Sequence, residues 1–530
     1  MKKALTLLIA VIMVIGLFSG CTKDVTTPLG TLTKEEIKEL NKKAGGLELP
    51  IDTEGTVINM FASTDNTGLT DKLVFKELSR RTGLNLQVTE APKSTSKDKI
   101  KILIASKDQM PDIAVVSDTT LLNDVGMQGG FVNVLKYKDS LPNFKRIFID
   151  EAEKLGTTRI LKSQVAPDGG LYYFPSYDVQ RDVNHGMLYR KDIFDKNGIK
   201  MWNNPEEFYQ ALKKLKELYP DSTPLVTKTG ATFFNQLAQS WGVIGWPAAS
   251  YNFDTDTWDY STLQPQFKDF IAYVKKLYDE KLLDPEFVTC TQASWTQKMA
   301  QADKAFCTFD WIGRLDQFVN QSKDSVEGYD LRYGNPVGPT GKVITLSRSW
   351  SYTVAIKAGA KEEKILKLCD YLLSEGGSEL VNLGVEGVSY DLNEDGTKAI
   401  YKLAEGETMD ENTMEEKWGI SSFILNRRGD RRGWEFQFTE REQEAQDLMK
   451  GKEDGFLPEQ PELVFTSEEK EIIAKYDTNL RKISEEFVIK FVLSNDKEPD
   501  WDGFMKKMKQ AGYDEVMNCY KAAHSRYNSK

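Results

Sequence analysis

The pattern of apolar and polar positions predicts alternating strands and helices in the first part of the body. The predicted order is strand 56–62, helix 71–82, strand 85–89, helix 96–106 and strand 113–116. This order is typical of a parallel sheet covered by helices, and ligands of such sheets bind beyond the carboxyl ends of the strands. Asp65 and Asn66 follow the first strand and Asp118 follows the third. We therefore expect these three residues at a ligand-binding edge.

A second α/β stretch begins near residue 170. The pattern predicts strands at 171–177, 185–189, 304–309 and 350–358, and helices at 205–218, 266–281, 295–302 and 362–374. Asn204 and Pro205 are the preferred residue types for the first two positions of a helix. The late strand at 350–358 indicates a return crossing between two lobes. From Glu435 onward we expect a mostly helical segment.

The N-terminus has the pattern of a signal peptide. Lys2 and Lys3 precede an apolar run over 4–18, which is too short to read as a membrane-spanning helix. Small residues before Cys21 resemble a bacterial lipobox, in which the cysteine receives acyl chains, although Phe18 stands where leucine is usual. We expect a signal peptide over 1–20, a lipid-anchored tether over 21–51 and a position on the extracellular face of the cell membrane. The alternative is an ordinary secretory signal.

Charge and composition restrict the kinds of ligand. The 530 residues carry a formal net charge of -11, which argues against nucleic acid as a partner. Two histidines and no C-x-x-C spacing argue against a zinc site, and we expect no metal and no cofactor. Besides Cys21 there are four cysteines, which we expect as buried free thiols, with a Cys290–Cys307 bridge as the alternative.

Five short segments carry a family likeness. They are 107–116 (KDQMPDIAVV), 130–143 (GFVNVLKYKDSLPN), 169–175 (GGLYYFP), 187–199 (MLYRKDIFDKNGI) and 383–390 (LGVEGVSY). Because these segments occur in the family's order and spacing, the chain resembles the extracellular solute-binding proteins of family 1, in particular the carbohydrate-importer lipoproteins of Gram-positive bacteria. The resemblance implies a two-lobed, periplasmic-binding-protein-like α/β fold whose lobes are joined by crossing strands.

The same resemblance implies how the protein works. One lobe is expected over 52–171 plus 350–405 and the other over 172–349 plus 406–530. A carbohydrate ligand would bind in the cleft between the lobes, which closes around it by hinge motion. The expected partners are a small carbohydrate, the permease subunits of an ABC importer and the membrane through the lipid anchor. The protein is expected to be a monomer.

A sugar site needs aromatic platforms and planar polar side chains. Beyond the three residues of the first sheet, the candidates for such a site are Trp241, Trp246, Asp310, Trp311, Arg314, Trp350 and Glu386. Core packing is the alternative for each tryptophan, because aromatic side chains fill cores by default. A turn is the alternative for Glu386.

Two polar segments have simpler interpretations. The segment at 391–396 starts like a calcium loop, but its twelfth position is Lys402 rather than glutamate, which favours a hairpin turn. The basic cluster at 427–432 is expected to be a solvated surface, with recognition of an acidic ligand or of the importer as alternatives.

Other functional classes stay open at this point. Carboxylates are abundant enough for a secreted glycoside hydrolase, but the chain has no G-x-S-x-G, H-E-x-x-H or P-loop motif. A binder of peptides or of an anionic solute is a further alternative. The sequence favours a binding protein over an enzyme.

Overall fold

A computed structural model describes residues 30–106, 108–228, 232–346, 349 and 353–529. The predictions for the signal peptide, for Cys21 and for Trp350 lie outside these residues. Within them, no helix is both long enough and apolar enough to span a bilayer.

The strands, in chain order, are short. Their bounds are β1 Val57–Ser63, β2 Asn85–Ala91, β3 Ile113–Val116, β4 His185–Arg190, β5 Ala249–Asn252, β6 Thr257–Tyr260, β7 Cys307–Trp311, β8 Leu331–Tyr333, β9 Val343–Ile344, β10 Thr353–Ile356, β11 Tyr390–Leu392, β12 Ala399–Tyr401 and β13 Phe456–Leu457.

Helices make up most of the remaining regular structure. Their bounds are α1 Lys34–Lys42, α2 Leu73–Thr82, α3 Ser96–Ala105, α4 Thr119–Met127, α5 Pro142–Lys145, α6 Ala152–Leu155, α7 Thr158–Gln164, α8 Lys191–Lys196, α9 Pro205–Leu218, α10 Thr232–Ala238, α11 Pro265–Asp279, α12 Gln292–Met299, α13 Arg314–Ser322, α14 Glu362–Leu372, α15 Glu375–Leu383, α16 Glu411–Trp418, α17 Glu440–Lys450, α18 Ser467–Leu493, α19 Trp501–Gln510 and α20 Tyr513–Asn528.

The chain divides into two compact units. Unit 1 takes in Met1–Arg146 and Ser351–Trp434, and unit 2 takes in Ile147–Trp350 and Glu435–Lys530. The chain therefore passes from unit 1 to unit 2 after residue 146 and again after residue 434. The sequence analysis placed these two passages after residues 171 and 405. Hydrogen bonds within each unit fit this division: Gln164 of α7 donates to Ser349 in unit 2, and Asn66, which follows β1, donates to Glu415 of α16 in unit 1.

The sheet of unit 1 has the order β10-β3-β1-β2. β1 runs parallel to β2 and β3, and β10 is antiparallel to β3. The three strands predicted for the start of the body are confirmed, and every residue of β3 is buried, as expected of a strand covered on both faces. The parallel pairing brings the carboxyl ends of β1 and β3 to one edge.

The local helix signals in the sequence are confirmed. Asn204 caps α9 by accepting a hydrogen bond from the Glu207 backbone nitrogen at 2.9 Å, and Pro205 is the first residue of that helix. The segment after residue 435 is mostly helical, as predicted, and its helices α18, α19 and α20 pack around Leu480, Phe504 and Val516.

Unit 2 contains an antiparallel sheet of order β7-β4-β8. The predicted strand at 171–177 is wrong, since this segment forms no named strand. Tyr172, Tyr173 and Phe174 are buried as individual side chains, and Pro175 lacks the backbone N–H that a sheet ladder requires.

Two smaller expectations are met. Cys290, Cys307, Cys369 and Cys519 are buried free thiols, and burial raises the pKa of Cys369 to about 12. The segment after Tyr390 is a β11–β12 hairpin, in which Lys402 Nζ lies 3.0 Å from Asp391 Oδ2.

Candidate functional site

The end of β7 carries an exposed tryptophan in unit 2. The first four residues of this strand are buried, whereas Trp311 is 38% exposed. Pairing with β4 sets Trp311 opposite His185 and Asp310 opposite Gly186. A large aromatic face at the end of a buried strand is a suitable platform for a ligand.

Gly313 determines how this indole lies. A Cβ atom at Gly313 would fall 2.5 Å from Cη2 of Trp311. The absence of a side chain at residue 313 therefore lets the ring lie back against the backbone at the start of α13.

A buried ion-pair network supports the platform. Asp310 is 2% exposed; its Oδ2 lies 2.7 Å from Lys228 Nζ and its Oδ1 lies 3.3 Å from Arg314 Nε. Both cations also lie over the buried ring of Trp295, with Lys228 Nζ 4.5 Å and Arg314 Cζ 5.5 Å from its centroid. Because a buried carboxylate needs such partners, Asp310 holds Arg314, the first residue of α13, three residues after Trp311.

His185 joins the network from the neighbouring strand. Burial lowers its pKa, the positive charge of Lys228 lowers it further, and Asp310 acts in the opposite direction. Its Nδ1 lies 3.0 Å from Asn184 Nδ2. The sequence analysis missed His185 and Lys228, because only strand pairing and folding bring them to Asp310.

Two of the predicted platforms are core residues instead. Trp241 is 4% exposed and its ring centroid lies 5.1 Å from Phe270. Trp246 is 3% exposed, stacks on Phe267 at 5.8 Å and donates its Nε1 hydrogen to Thr262 Oγ1. The aromatic side chains of α11 pack against both indoles in the core of unit 2.

The end of β1 carries a polar cluster in unit 1. Asn66 Nδ2 donates to Glu415 Oε1 at 3.0 Å, and the Thr64 hydroxyl donates to the same oxygen. Glu415 is 2% exposed. Asp65 is exposed and accepts a hydrogen bond from the Lys93 backbone nitrogen at 3.1 Å.

Helix α16 brings a second carboxylate to this cluster. Glu411 accepts hydrogen bonds from the Ser421 hydroxyl at 2.8 Å and from the Ser422 hydroxyl at 2.5 Å. Burial raises the pKa of Glu411, and the neighbouring charge of Glu415 adds to this effect, while both serines oppose it. The sequence analysis missed Glu411 and Glu415, because their segment was assigned to the other lobe.

Asp118 and Glu386 have local roles. Asp118 caps α4 by accepting from the Leu121 backbone nitrogen at 3.1 Å. Glu386 is exposed in the turn before β11. Among the described residues, no hydrogen bond or ion pair joins either carboxylate to Asn66, and no group of three potential metal ligands lies close enough to hold an ion.

The basic segment at 427–432 is not the solvated surface that we expected. Arg427 is completely buried, and burial lowers its pKa to about 10. Arg432 pairs with Asp430 at 2.6 Å and with Glu379 at 3.2 Å. Of the four arginines, Arg431 is exposed, and Arg428 and Arg432 are half-buried. The cluster is therefore mainly part of the packing of unit 1.

Solved structures with a similar fold are binding proteins. The alginate-binding protein AlgQ2, in a structure without calcium, superposes with a TM-score of 0.62 at 21% identity over 90% of this chain and 99% of that one. An HMO-binding, ABC-transporter-associated solute-binding protein from Bifidobacterium longum infantis gives a TM-score of 0.69 at 15% identity over 90% of this chain and 100% of that one. These likenesses support a two-domain α/β solute-binding fold.

Sequence comparison leads to the same family. Lipoprotein LipO of Bacillus subtilis is 26% identical over 339 residues, which is 60% of this chain and 64% of LipO, just under two thirds of its length. The polygalacturonan/rhamnogalacturonan-binding protein YtcQ of the same organism is 22% identical over 475 residues, 84% of this chain and 87% of YtcQ. Residues 62–379 match the family described as bacterial extracellular solute-binding protein, and the chain belongs to that family.

Proposed function

We propose that this protein binds an oligosaccharide outside the cell and delivers it intact to the permease of an ABC importer. The observation that carries the proposal is the exposed indole of Trp311 beside Asp310 and Arg314. The C–H face of a sugar ring packs on an indole, and its hydroxyls bond to neighbouring planar polar groups. Family membership supports the binding of a solute.

The names of related proteins support carbohydrate as the ligand class. YtcQ is named for binding polygalacturonan and rhamnogalacturonan, and AlgQ2 for binding alginate. The interlobe cleft that the sequence analysis expects stays a prediction.

A carboxylate-bearing oligosaccharide is the more specific candidate. Arg314 is bonded to Asp310 through Nε, yet its side chain is still 20% exposed beside Trp311. A guanidinium in this position can pair with a ligand carboxylate. Uronate oligomers are therefore expected to bind more tightly than neutral oligomers of the same length.

The carboxylates of the unit 1 cluster already accept hydrogen bonds from neighbouring side chains, which fits binding of the ligand without hydrolysis. Glu415 accepts bonds from Thr64 and Asn66, and Glu411 from Ser421 and Ser422. Members of the family are binding proteins, and we infer that this one also releases its ligand unchanged. We further propose that a monomer is attached to the membrane through Cys21 and the segment that follows it.

Uptake by living cells tests this function. A strain with the gene disrupted should fail to import a radiolabelled oligogalacturonate or another oligosaccharide that the purified protein binds. The wild-type gene should restore import, and the label should remain in full-length oligosaccharide after incubation with the purified protein. Undiminished import in the disrupted strain, or cleavage of the sugar by the purified protein, would refute the proposal.

A further inference from the structure

Unit 2 contains a cavity whose lining includes none of the residues that the sequence analysis selected. Its volume is about 180 Å³, and its lining includes Ile160, Ser163, Ile344, Leu457, Glu459 and Gln460. Helix α7 supplies one wall. The parallel pair β9–β13, in which Leu457 lies opposite Ile344, supplies another. The volume corresponds to about six water molecules at 30 Å³ each, enough for one sugar ring.

One amide oxygen at this cavity needs a hydrogen-bond donor. Oε1 of Gln460 is buried and makes no hydrogen bond to any residue that the structure describes. A buried acceptor without a donor is unfavourable, so this oxygen favours a ligand that offers hydroxyl groups.

The remaining walls suit the other features of a sugar ring. Ile160, Ile344 and Leu457 present apolar surface on which the C–H face of a ring can pack. Glu459 and Glu462 add carboxylate acceptors at the same cavity, and Arg159 adds a guanidinium donor. Together these groups can both accept hydrogen bonds from ring hydroxyls and donate to them.

We propose that this cavity is a subsite for one sugar ring of the oligosaccharide. The ring donates a hydroxyl hydrogen to Gln460 and packs its C–H face on Ile344 and Leu457. The inference rests on the proposed function and adds the residues that hold one ring of the ligand.

Substitutions at the cavity test the assignment by calorimetric titration. The probes are neutral gluco-, manno- and xylo-oligosaccharides and oligogalacturonates, each of one to six rings. Gln460→Leu removes an acceptor and should weaken neutral-oligosaccharide binding about 3- to 10-fold. Ile344→Phe fills the space and should weaken it at least as much. Gln460→Glu keeps the acceptors and should bind neutral oligosaccharides nearly as tightly as the wild type.

Gln443→Leu is the matched control, because Gln443 is exposed on α17 and its side chain donates a hydrogen bond to Asp447 on the same helix. It should bind like the wild type, and unliganded melting temperatures should show that each variant is folded. If Ile344→Phe fails to fold, the two Gln460 variants decide the outcome. Wild-type affinity in folded Gln460→Leu would overturn the subsite and leave the proposed function intact. A wild-type protein that binds none of the oligosaccharides would overturn both.

Discussion

Trp311 shows what separates a binding residue from a core residue of the same type. The sequence alone favoured three tryptophans equally as sugar-binding residues, because each follows or begins a polar, glycine-containing segment: Trp241, Trp246 and Trp311. The difference is that Phe267 and Phe270 of α11 cover the first two indoles, whereas Trp311 remains 38% exposed. Such coverage depends on packing between segments, which residue order alone does not reveal.

Trp311→Ala should weaken oligosaccharide binding without unfolding the protein. Burying an aromatic side chain against a ligand contributes about 1.5–3 kcal/mol, so the expected loss in affinity is about 10- to 100-fold. Trp311→Phe should retain most of the affinity. Leu218→Ala, at a residue that is 40% exposed on α9, is the control. Calorimetry that finds Trp311→Ala equal to the wild type would remove this residue from the site.

Helices and strands with strong local signals could be predicted from the sequence. The Asn204–Pro205 pair marks the start of α9, and the apolar run at 113–116 is β3 with the predicted bounds. Sheet partners and sheet edges could not be predicted in the same way. The pairing of β4 with β7, which brings His185 to Trp311, joins segments about 120 residues apart in sequence and follows from tertiary packing.

Asp370 links two elements of unit 1 and predicts a pH-dependent stability. Its carboxylate on α14 accepts hydrogen bonds from the backbone nitrogens of Asn143 at 3.2 Å and Phe144 at 2.7 Å at the start of α5. Burial raises its pKa to about 6 from an ordinary 3.8, and these hydrogen bonds oppose the shift. A raised pKa contributes stability that is present below pH 3.8 and is lost as the pH rises through about 6.

The variant Asp370→Asn removes this titration. The free energy of unfolding of the wild type, relative to the variant, should therefore fall by about 2 kcal/mol between pH 4 and pH 7. Urea unfolding at a series of pH values measures the difference. Asp447→Asn, at an exposed residue of α17, should show no comparable trend. A constant difference between wild type and Asp370→Asn over this range would contradict the assigned shift.

At the scale of the whole molecule, the α/β fold class was predictable because its strand and helix pattern is regular and its family segments occur in order. The residues at which the chain passes from one unit to the other could not be predicted, because contacts between segments far apart in sequence determine them. Ser421 and Glu411 bind each other within unit 1 although the sequence analysis assigned both to the second lobe. The carboxylate cluster at the end of β1 was missed for the same reason.

Attachment to the membrane makes a separate prediction. Cys21→Ala removes the thiol that would carry the lipid, so the variant should leave the membrane fraction and appear in the soluble or secreted fraction. Fractionation of cells followed by immunoblotting measures the distribution, with Cys519→Ala, at a buried cysteine far from the leader, as the control. A Cys21→Ala protein that stays in the membrane fraction would contradict lipidation at this residue.

Thermal unfolding of the mature chain with a ligand panel tests the central claim most directly. The panel contains neutral oligosaccharides, oligogalacturonates and peptides, each followed by recovery and mass analysis of the added compound. The account predicts that one class of oligosaccharide raises the melting temperature and is recovered intact. At a free ligand concentration of one hundred times the dissociation constant, the gain is about 2.7 kcal/mol. Stabilisation by peptides alone, or recovery of a cleaved sugar, would contradict it.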